Sequence, residues 1–403
     1  MTEQTTGSIV LKKGREKPLV NRHPWIFSGA IQRVVSRPGP GDLVDVQAAN
    51  GDWLACAYYN PQSQIPGRVL SWNADQPIDE TFWQQRLQTA FAGRDALQLG
   101  PQTSAYRLVN AESDGLPGLV VDQYNDFLVV QCLTLGIDRR KEMLFDLLTT
   151  LRTPAGIIER SDVEVRHKEG LPELAGVRRG QAPPNRITIL ENGHRFQASL
   201  LEGHKTGLYL DQRENRALVG QPRFMAGREV LNLFAYTGGF AVYAAAAGAS
   251  AIVNVDSSAD LLAQAQHNLV LNGHNTRPGD EYLNADAFQL LRRYRDSGRQ
   301  FDTIILDPPK FAHSKGDVER ACRGYKDLNW LAMRLTRPGG HLATFSCSGL
   351  VSADLFQKVL FGAAIDAGRD AQILYQMGQA ADHPIALTFP ESAYLKGFLL
   401  RVL

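Results

Sequence analysis

EVLNLFAYTGGFAVYAAAAGASAIVNVD, residues 229–256, reads as strand, glycine turn, helix and second strand. Val230, Leu231, Leu233 and Phe234 form the short apolar run expected of a fully buried parallel strand. Thr237, Gly238 and Gly239 turn the chain. Residues 240–247 are alanine-rich and favour a helix, which Gly248 closes because glycine tolerates the left-handed conformation. Ala251, Ile252 and Val253 begin the next strand, and Asp256 ends it. Backbone N–H groups at a glycine turn and helix N-terminus suit a polar or anionic group. An acid at the end of the next strand, about 20 residues on, suits a ribose diol. The unit is therefore built for a nucleoside-like ligand.

The same rhythm continues to the C-terminus. Residues 261–271 read as helix, 282–287 as a strand end carrying Asp286, and 288–295 as helix. Residues 301–306 read as a strand running into Asp307-Pro308-Pro309. A helix over 321–335 and a strand over 341–348, entered through Gly339-Gly340, complete the pattern. Alternating strands and helices predict a doubly wound, Rossmann-like α/β sheet. Ligands of such sheets lie beyond the carboxyl ends of the strands, where Phe234, Asp256, Asp286, Asp307 and Cys347 all fall. The turn Tyr236-Thr237-Gly238-Gly239-Phe240 lacks the GxGxxG of a dinucleotide site. Gly203-His204-Lys205-Thr206 has histidine where a P-loop needs its second glycine. His204 and Lys205 fit loop structure or a phosphate contact better than catalysis. A compact nucleoside with a charged amino-acid tail fits better than a pyrophosphate.

Upstream, residues 1–75 read as a small β-rich barrel, with turns at Gly39-Pro40-Gly41-Asp42 and Asn50-Gly51-Asp52. Trp25 and Phe27 are expected in its core. Residues 76–195 read as an α+β middle domain: helices over 78–97 and 139–151, strands between, a loop over 164–185, and a hairpin around Asn192-Gly193. Residues 196–403 form the α/β domain.

With 44% hydrophobic and 21% charged residues, the composition is that of a soluble globular protein. No apolar run approaches the roughly 18 residues of a membrane span, and MTEQTTGSIVLKKGREK has no signal core. A cytoplasmic protein without a membrane partner is expected. Cys56, Cys132, Cys322 and Cys347 are far apart with no CxxC pairing, which argues against a zinc site or a disulfide framework and leaves room for one catalytic thiol. The net charge of +1 hides local basic stripes. One holds Lys12, Lys13, Arg15, Lys17, Arg22, Arg33 and Arg37. A second runs from Arg292 to Arg299 and on through Lys310, Lys315, Arg320, Arg323 and Lys326. Such stripes suit a phosphate backbone, and their bland reading is a solvated surface.

Four motifs together resemble class I S-adenosylmethionine-dependent methyltransferases, and more closely the RlmI family of bacterial large-subunit rRNA cytosine-C5 methyltransferases. They are Gly207-Leu208-Tyr209-Leu210-Asp211-Gln212-Arg213, residues 232–240, Asp307-Pro308-Pro309-Lys310-Phe311 and Phe345-Ser346-Cys347-Ser348. The resemblance implies an N-terminal PUA RNA-binding domain, S-adenosyl-L-methionine as cofactor, a single cytosine of 23S rRNA as target, and allows for a homodimer. It implies that Phe234, Tyr236, Thr237, Gly238 and Gly239 hold the methionine part of the cofactor. Asp256, with Ser257 beside it, takes the ribose; Asp286 and Ala287 border the adenine; Asp307 and Pro308 border the methyl group and the base; the bland alternatives are helix N-caps at Asp256 and Asp286 and a plain turn at Asp307-Pro308-Pro309. Asn232 stands where many class I enzymes carry an acid, so Asp211 or Arg213 is a candidate anchor for the cofactor tail.

Cytosine C5 is a poor nucleophile until a thiolate adds to C6, and cysteine suits that covalent step. Cys347 is the expected nucleophile, and Asp307 the acceptor for the exocyclic amine. Lys310 is expected to lower the thiol pKa or to touch RNA phosphate, and Lys12, Lys13, Arg15, Lys17 and Arg22 to contact RNA. Methylation of an exocyclic amine, which needs no cysteine, is the rival chemistry. A non-catalytic RNA-binding assembly factor is the rival class.

Overall fold

The computed structural model describes residues 3–203 and 206–403, so His204 and Lys205 lie outside the described residues. Two compact units divide the chain: residues 1–189, 198–210 and 381–392 in the first, and 190–197, 211–380 and 393–403 in the second.

The first unit holds two sheets. Six strands from Gly7–Leu11 to Gly67–Ser71 form one sheet whose edges are Trp25–Ile26 and Ile31–Val35. The chain passes between those edges in four residues, so the sheet must curl back on itself, as a small barrel does. Asn50-Gly51 forms the turn between Leu43–Gln47 and Trp53–Tyr59, with Gly51 at φ 94°. Ile26 is buried in the barrel core and Trp25 half-buried, but Phe27 is 48% exposed. Phe27 thus departs from its expected place: the short strand alternates its faces, and the residue falls past its end.

The second sheet has five strands, with Ala105–Asn110 and Leu174–Gly180 at its edges. Leu174–Gly180 and the 3₁₀ helix Glu164–Glu169 correct the loop expected over 164–185. LAGVRRG carries two glycines and two arginines and no apolar alternation, so only its antiparallel pairing with Gly156–Ser161 makes it a strand. Helix Glu80–Asp95 is capped by Asp79, whose side chain accepts from Phe82 N at 2.9 Å. Asn192 and Gly193 both have positive φ, as a two-residue hairpin turn requires.

The second unit is a seven-stranded sheet. Counted in chain order within it, the strands run 3-2-1-4-5-7-6. The first five are parallel, and Lys396–Val402 enters antiparallel to Thr336–Ser346. The order reverses between Glu229–Leu233 and Phe301–Leu306, which is where such a sheet opens a ligand crevice. Leu231, Leu233, Val253, Ile304, Leu306 and Leu342 are fully buried between helices on its faces. The last parallel strand starts at Thr336, earlier than Gly339-Gly340 led us to expect. Gly339 has a φ of 78°, and the register shifts beside it, so the glycines form an irregularity inside the strand. Strand Glu281–Asn284 ends before Asp286, which caps helix Ala287–Ser297 instead.

Candidate active site

The carboxyl end of Glu229–Leu233 leaves the sheet through a strained turn. Phe234 and Tyr236 have φ of 60° and 48°, and Gly238 has φ of 78°. Positive φ in two aromatic residues is costly and persists only where surroundings hold it. Here Ala235 N donates to Val255 O at 2.9 Å, and Tyr236 N donates to Asp256 Oδ2 at 2.9 Å. Asp256 Oδ1 accepts from Ser258 N at 3.0 Å, and Ser258 caps helix Ala259–Leu271. Ser257 is exposed beside it. Asp256 thus ties the turn to the next strand end.

Thr237 is buried, its carbonyl accepts from Asn268 Nδ2 at 2.9 Å, and among the described residues its Oγ1 has no hydrogen-bond partner. Gly238 and Gly239 are required on space grounds as well. A Cβ at Gly238 would stand 2.8 Å from that of Ala265, and one at Gly239 2.9 Å from Arg216 Cδ. Arg216 is held by a buried ion pair with Glu191. Asp286 is exposed, with its carboxylate accepting from Gln289 N at 2.9 Å, while Ala287 is buried. Asn232 is buried and donates to Asn254 Oδ1 at 3.0 Å, so it faces its neighbour strand. Asp211 accepts from Tyr394 Oη at 2.6 Å, and Arg213 is buried.

Cys347 stands beside the residue that follows Asp307. Cys347 Sγ lies 3.9 Å from Pro308 O. Asp307 Oδ1 accepts from Gln212 Nε2 at 2.9 Å, and Gln212 Oε1 accepts in turn from Asn215 Nδ2 at 2.6 Å. Ser348 Oγ accepts from Phe311 N and Ala312 N, both at 3.2 Å, and lies 3.0 Å from Tyr325 Oη. That hydroxyl binds the loop after Asp307 to the turn after Cys347. Cys347 and Cys322 are half-buried; Cys56 and Cys132 are buried, and burial pushes the Cys56 thiol up to about 12. A thiol so raised is inert, so Cys347 alone combines access with a strand end.

Sequence reasoning missed Gln212, Ser348, Tyr325 and Lys396. Gln212 and Ser348 sit inside motifs already singled out for their neighbours, and Lys396 opens a mostly apolar strand with no motif around it. Tyr325, in the middle of an amphipathic helix, carries no local signal.

The two basic stripes differ. Lys12, Lys13, Arg15, Lys17 and Arg22 are exposed, and none has an ion-pair partner among the described residues. Lys12 Nζ donates to Gly29 O at 2.9 Å, and the Arg22 guanidinium lies 5.5 Å from the Trp72 ring centroid. In the second stripe Arg292, Arg295, Arg299, Arg320, Arg323 and Lys326 pair with carboxylates, which supports a solvated surface there. Lys310 is exposed. No group of three or more potential metal ligands occurs among the described residues, and no described helix is long and apolar enough to cross a membrane.

The model of the S-adenosylmethionine-dependent methyltransferase family matches residues 133–368, and that of the PUA-like domain residues 9–72. The chain is 50% identical to the ribosomal RNA large subunit methyltransferase I of Shewanella amazonensis, covering 98% of this chain and 99% of the relative. It is likewise 50% identical to the protein of that name from Tolumonas auensis, covering 98% and 99%. A solved structure from Streptococcus mutans, classed as a SAM-dependent methyltransferase, shares the fold with a TM-score of 0.85 at 22% identity, covering 98% of this chain and 99% of that one. Another solved methyltransferase, complexed with SAH, superposes with a TM-score of 0.85 at 23% identity, covering 98% of this chain and 99% of that one. The chain belongs to the S-adenosylmethionine-dependent methyltransferase family, together with full-length relatives named ribosomal RNA large subunit methyltransferase I. Its cofactor is S-adenosylmethionine.

Proposed function

We propose that the chain methylates C5 of a specific cytosine in 23S rRNA through a covalent adduct with Cys347. The observation that carries this reading is the half-buried Cys347 thiol against the Asp307-Pro308 strand end. Full-length identity of 50% to relatives named for large-subunit rRNA methylation supports the substrate class.

The described residues fit the cofactor. The orphaned Thr237 hydroxyl and the N–H groups opening helix Gly239–Ala246 offer polar partners at the strained turn. In our reading Phe234, Tyr236, Thr237, Gly238 and Gly239 hold the methionine part. Asp256 and Ser257 take the ribose, Asp286 and Ala287 the adenine edge, and Asp307 and Pro308 flank the reacting centre. Bound there, S-adenosylmethionine supplies an electrophilic methyl group. Cys347 Sγ forms a bond to C6 of the base and moves an electron pair toward C5. Asp307 accepts from the exocyclic amine and favours a proton at N3. Once C5 is methylated, a general base takes the C5 proton, the C6–S bond breaks and the thiolate is restored. The target nucleotide must be unstacked to reach the thiol.

Gly238→Val should abolish cofactor binding. The valine would need a φ near 78° and a Cβ 2.8 Å from that of Ala265. Titration calorimetry should read at least a roughly hundredfold loss of affinity, given strain of 1–3 kcal/mol plus the clash.

The RNA is held, in our reading, by the first basic stripe. Arg22 and Arg86 line one cavity of about 370 Å³ with Trp72. Neither has an ion-pair partner among the described residues. Burial draws the Arg86 pKa down, as expected of a guanidinium without a carboxylate. Removing both charges with Arg22→Met and Arg86→Met should lower the slope of log Kd against log salt by roughly 1.4 to 1.8, at about 0.7 to 0.9 per phosphate contact. An unchanged slope would place the phosphate contacts elsewhere. Residues 1–75, 76–195 and 196–403 are proposed as an RNA-binding domain, a middle domain and the catalytic domain.

Nucleoside mass spectrometry of rRNA from cells with and without the gene tests the whole reading. Loss of one 5-methylcytidine is expected; loss of a different methylated nucleoside overturns it.

A further inference from the structure

Lys396 is the first residue of strand Lys396–Val402 and pairs in register with Ser346, the residue before Cys347. It is 6% exposed. Its Nζ donates to Ser348 O and to Val351 O, both at 2.6 Å, and so closes the turn that follows Cys347. Beside it Gly397 lets the strand pack closely on its neighbour, since a Cβ there would stand 2.4 Å from the Phe345 ring. Among the described residues Lys396 has no carboxylate within ion-pair distance.

A buried ammonium is costly unless an anion faces it, and two carbonyl dipoles offset only part of that cost. Asp307 and exposed Lys310 stand at the neighbouring strand end, Tyr325 on helix Val318–Leu335, and Tyr394 with its partner Asp211 on the chain entering Lys396. Lys396 is coupled to Cys347 by attraction and to Lys310 by repulsion. We propose that Lys396 is the positioning residue for the nucleophile, fixing the turn of residues 347–351 and stabilising Cys347 as its thiolate. This deepens the reading of Cys347 as nucleophile and rests on it, and it gives to buried Lys396 the thiol-activating role that the sequence offered to Lys310. Burial draws the Lys396 pKa down to about 8, so the ammonium persists at neutral pH, where the thiolate is needed.

Alkylation of Cys347 by iodoacetamide in the full chain, followed by peptide mass spectrometry across a pH series, tests the proposal. It reads the thiolate without requiring methyl transfer. In the unsubstituted protein the midpoint should fall below the ordinary thiol value of about 8.5. A midpoint at or above that value overturns the proposal, whether or not any variant folds. Lys396→Met should raise the midpoint by at least about one pH unit and slow alkylation at pH 7 about tenfold, with rates converging in strong base. A folded Lys396→Met chain with an unmoved midpoint would reduce the lysine to a structural tie and overturn the proposal. Lys310→Met should leave the midpoint at or below that of the unsubstituted protein, and a rise there would transfer the role to Lys310. If Cys347→Ala retained full turnover while the low midpoint stood, the nucleophile reading would fail separately from the thiolate pairing.

Discussion

Cys347→Ala should reduce methyl transfer by roughly 10⁴-fold or more while leaving S-adenosylmethionine binding intact. The size follows from the chemistry: without addition at C6, C5 lacks the electron density to displace a methyl group, and nothing else at the site supplies it. The cofactor turn lies at a different strand end, built from Phe234 to Gly239 and tied by Asp256, and the substitution does not touch it. Single-turnover methylation of rRNA with labelled cofactor reads the rate, and titration calorimetry reads the binding. Turnover within about tenfold of the unsubstituted protein would sink the covalent mechanism and favour methylation of an exocyclic amine. Cys322→Ala serves as control, since its half-buried thiol lies on helix Val318–Leu335 and packs against the apolar core of the sheet.

How much of this site was legible in the sequence depended on how local each signal is. The glycine turn and the strand before it were legible because buried parallel strands need continuous apolar runs and positive φ favours glycine. The same local rule gave no hint that Phe234 and Tyr236 also adopt positive φ, since the bonds of Ala235 N to Val255 O and of Tyr236 N to the Asp256 carboxylate hold them there. Asp307 and Cys347 were legible as strand ends. Gln212, which turns Asp307, was not: it lies 95 residues away, and only the folded sheet brings it within 2.9 Å. Leu174–Gly180 was lost for a related reason. Its edge pairing comes from Gly156–Ser161 rather than from its own residues. The second basic stripe looked like the first in composition, and carboxylates such as Glu281, Asp296, Asp317, Glu319, Asp327 and Asp366 distinguish it.

Asp307→Asn should lower kcat by about 10²- to 10³-fold, the range seen when a single polar group aimed at the reacting centre is removed. Asparagine keeps the volume and can keep the 2.9 Å contact with Gln212 through its own oxygen. It loses the negative charge, and its amide then presents N–H donors to an exocyclic amine that itself donates. The base would still bind and the thiol would still be present, but a proton at N3 would no longer be favoured during attack at C6. The effect should therefore fall on kcat rather than on the affinity for cofactor. Gln212→Ala should move the same quantity less, by roughly tenfold, because it leaves the charge and removes only the hydrogen bond that orients it. Steady-state kinetics on rRNA, read beside cofactor binding, separates the cases. An Asp307→Asn chain with unchanged kcat would remove Asp307 from the chemistry. A Gln212→Ala chain slower than Asp307→Asn would mean that Gln212 acts on the substrate directly and not through the carboxylate it holds.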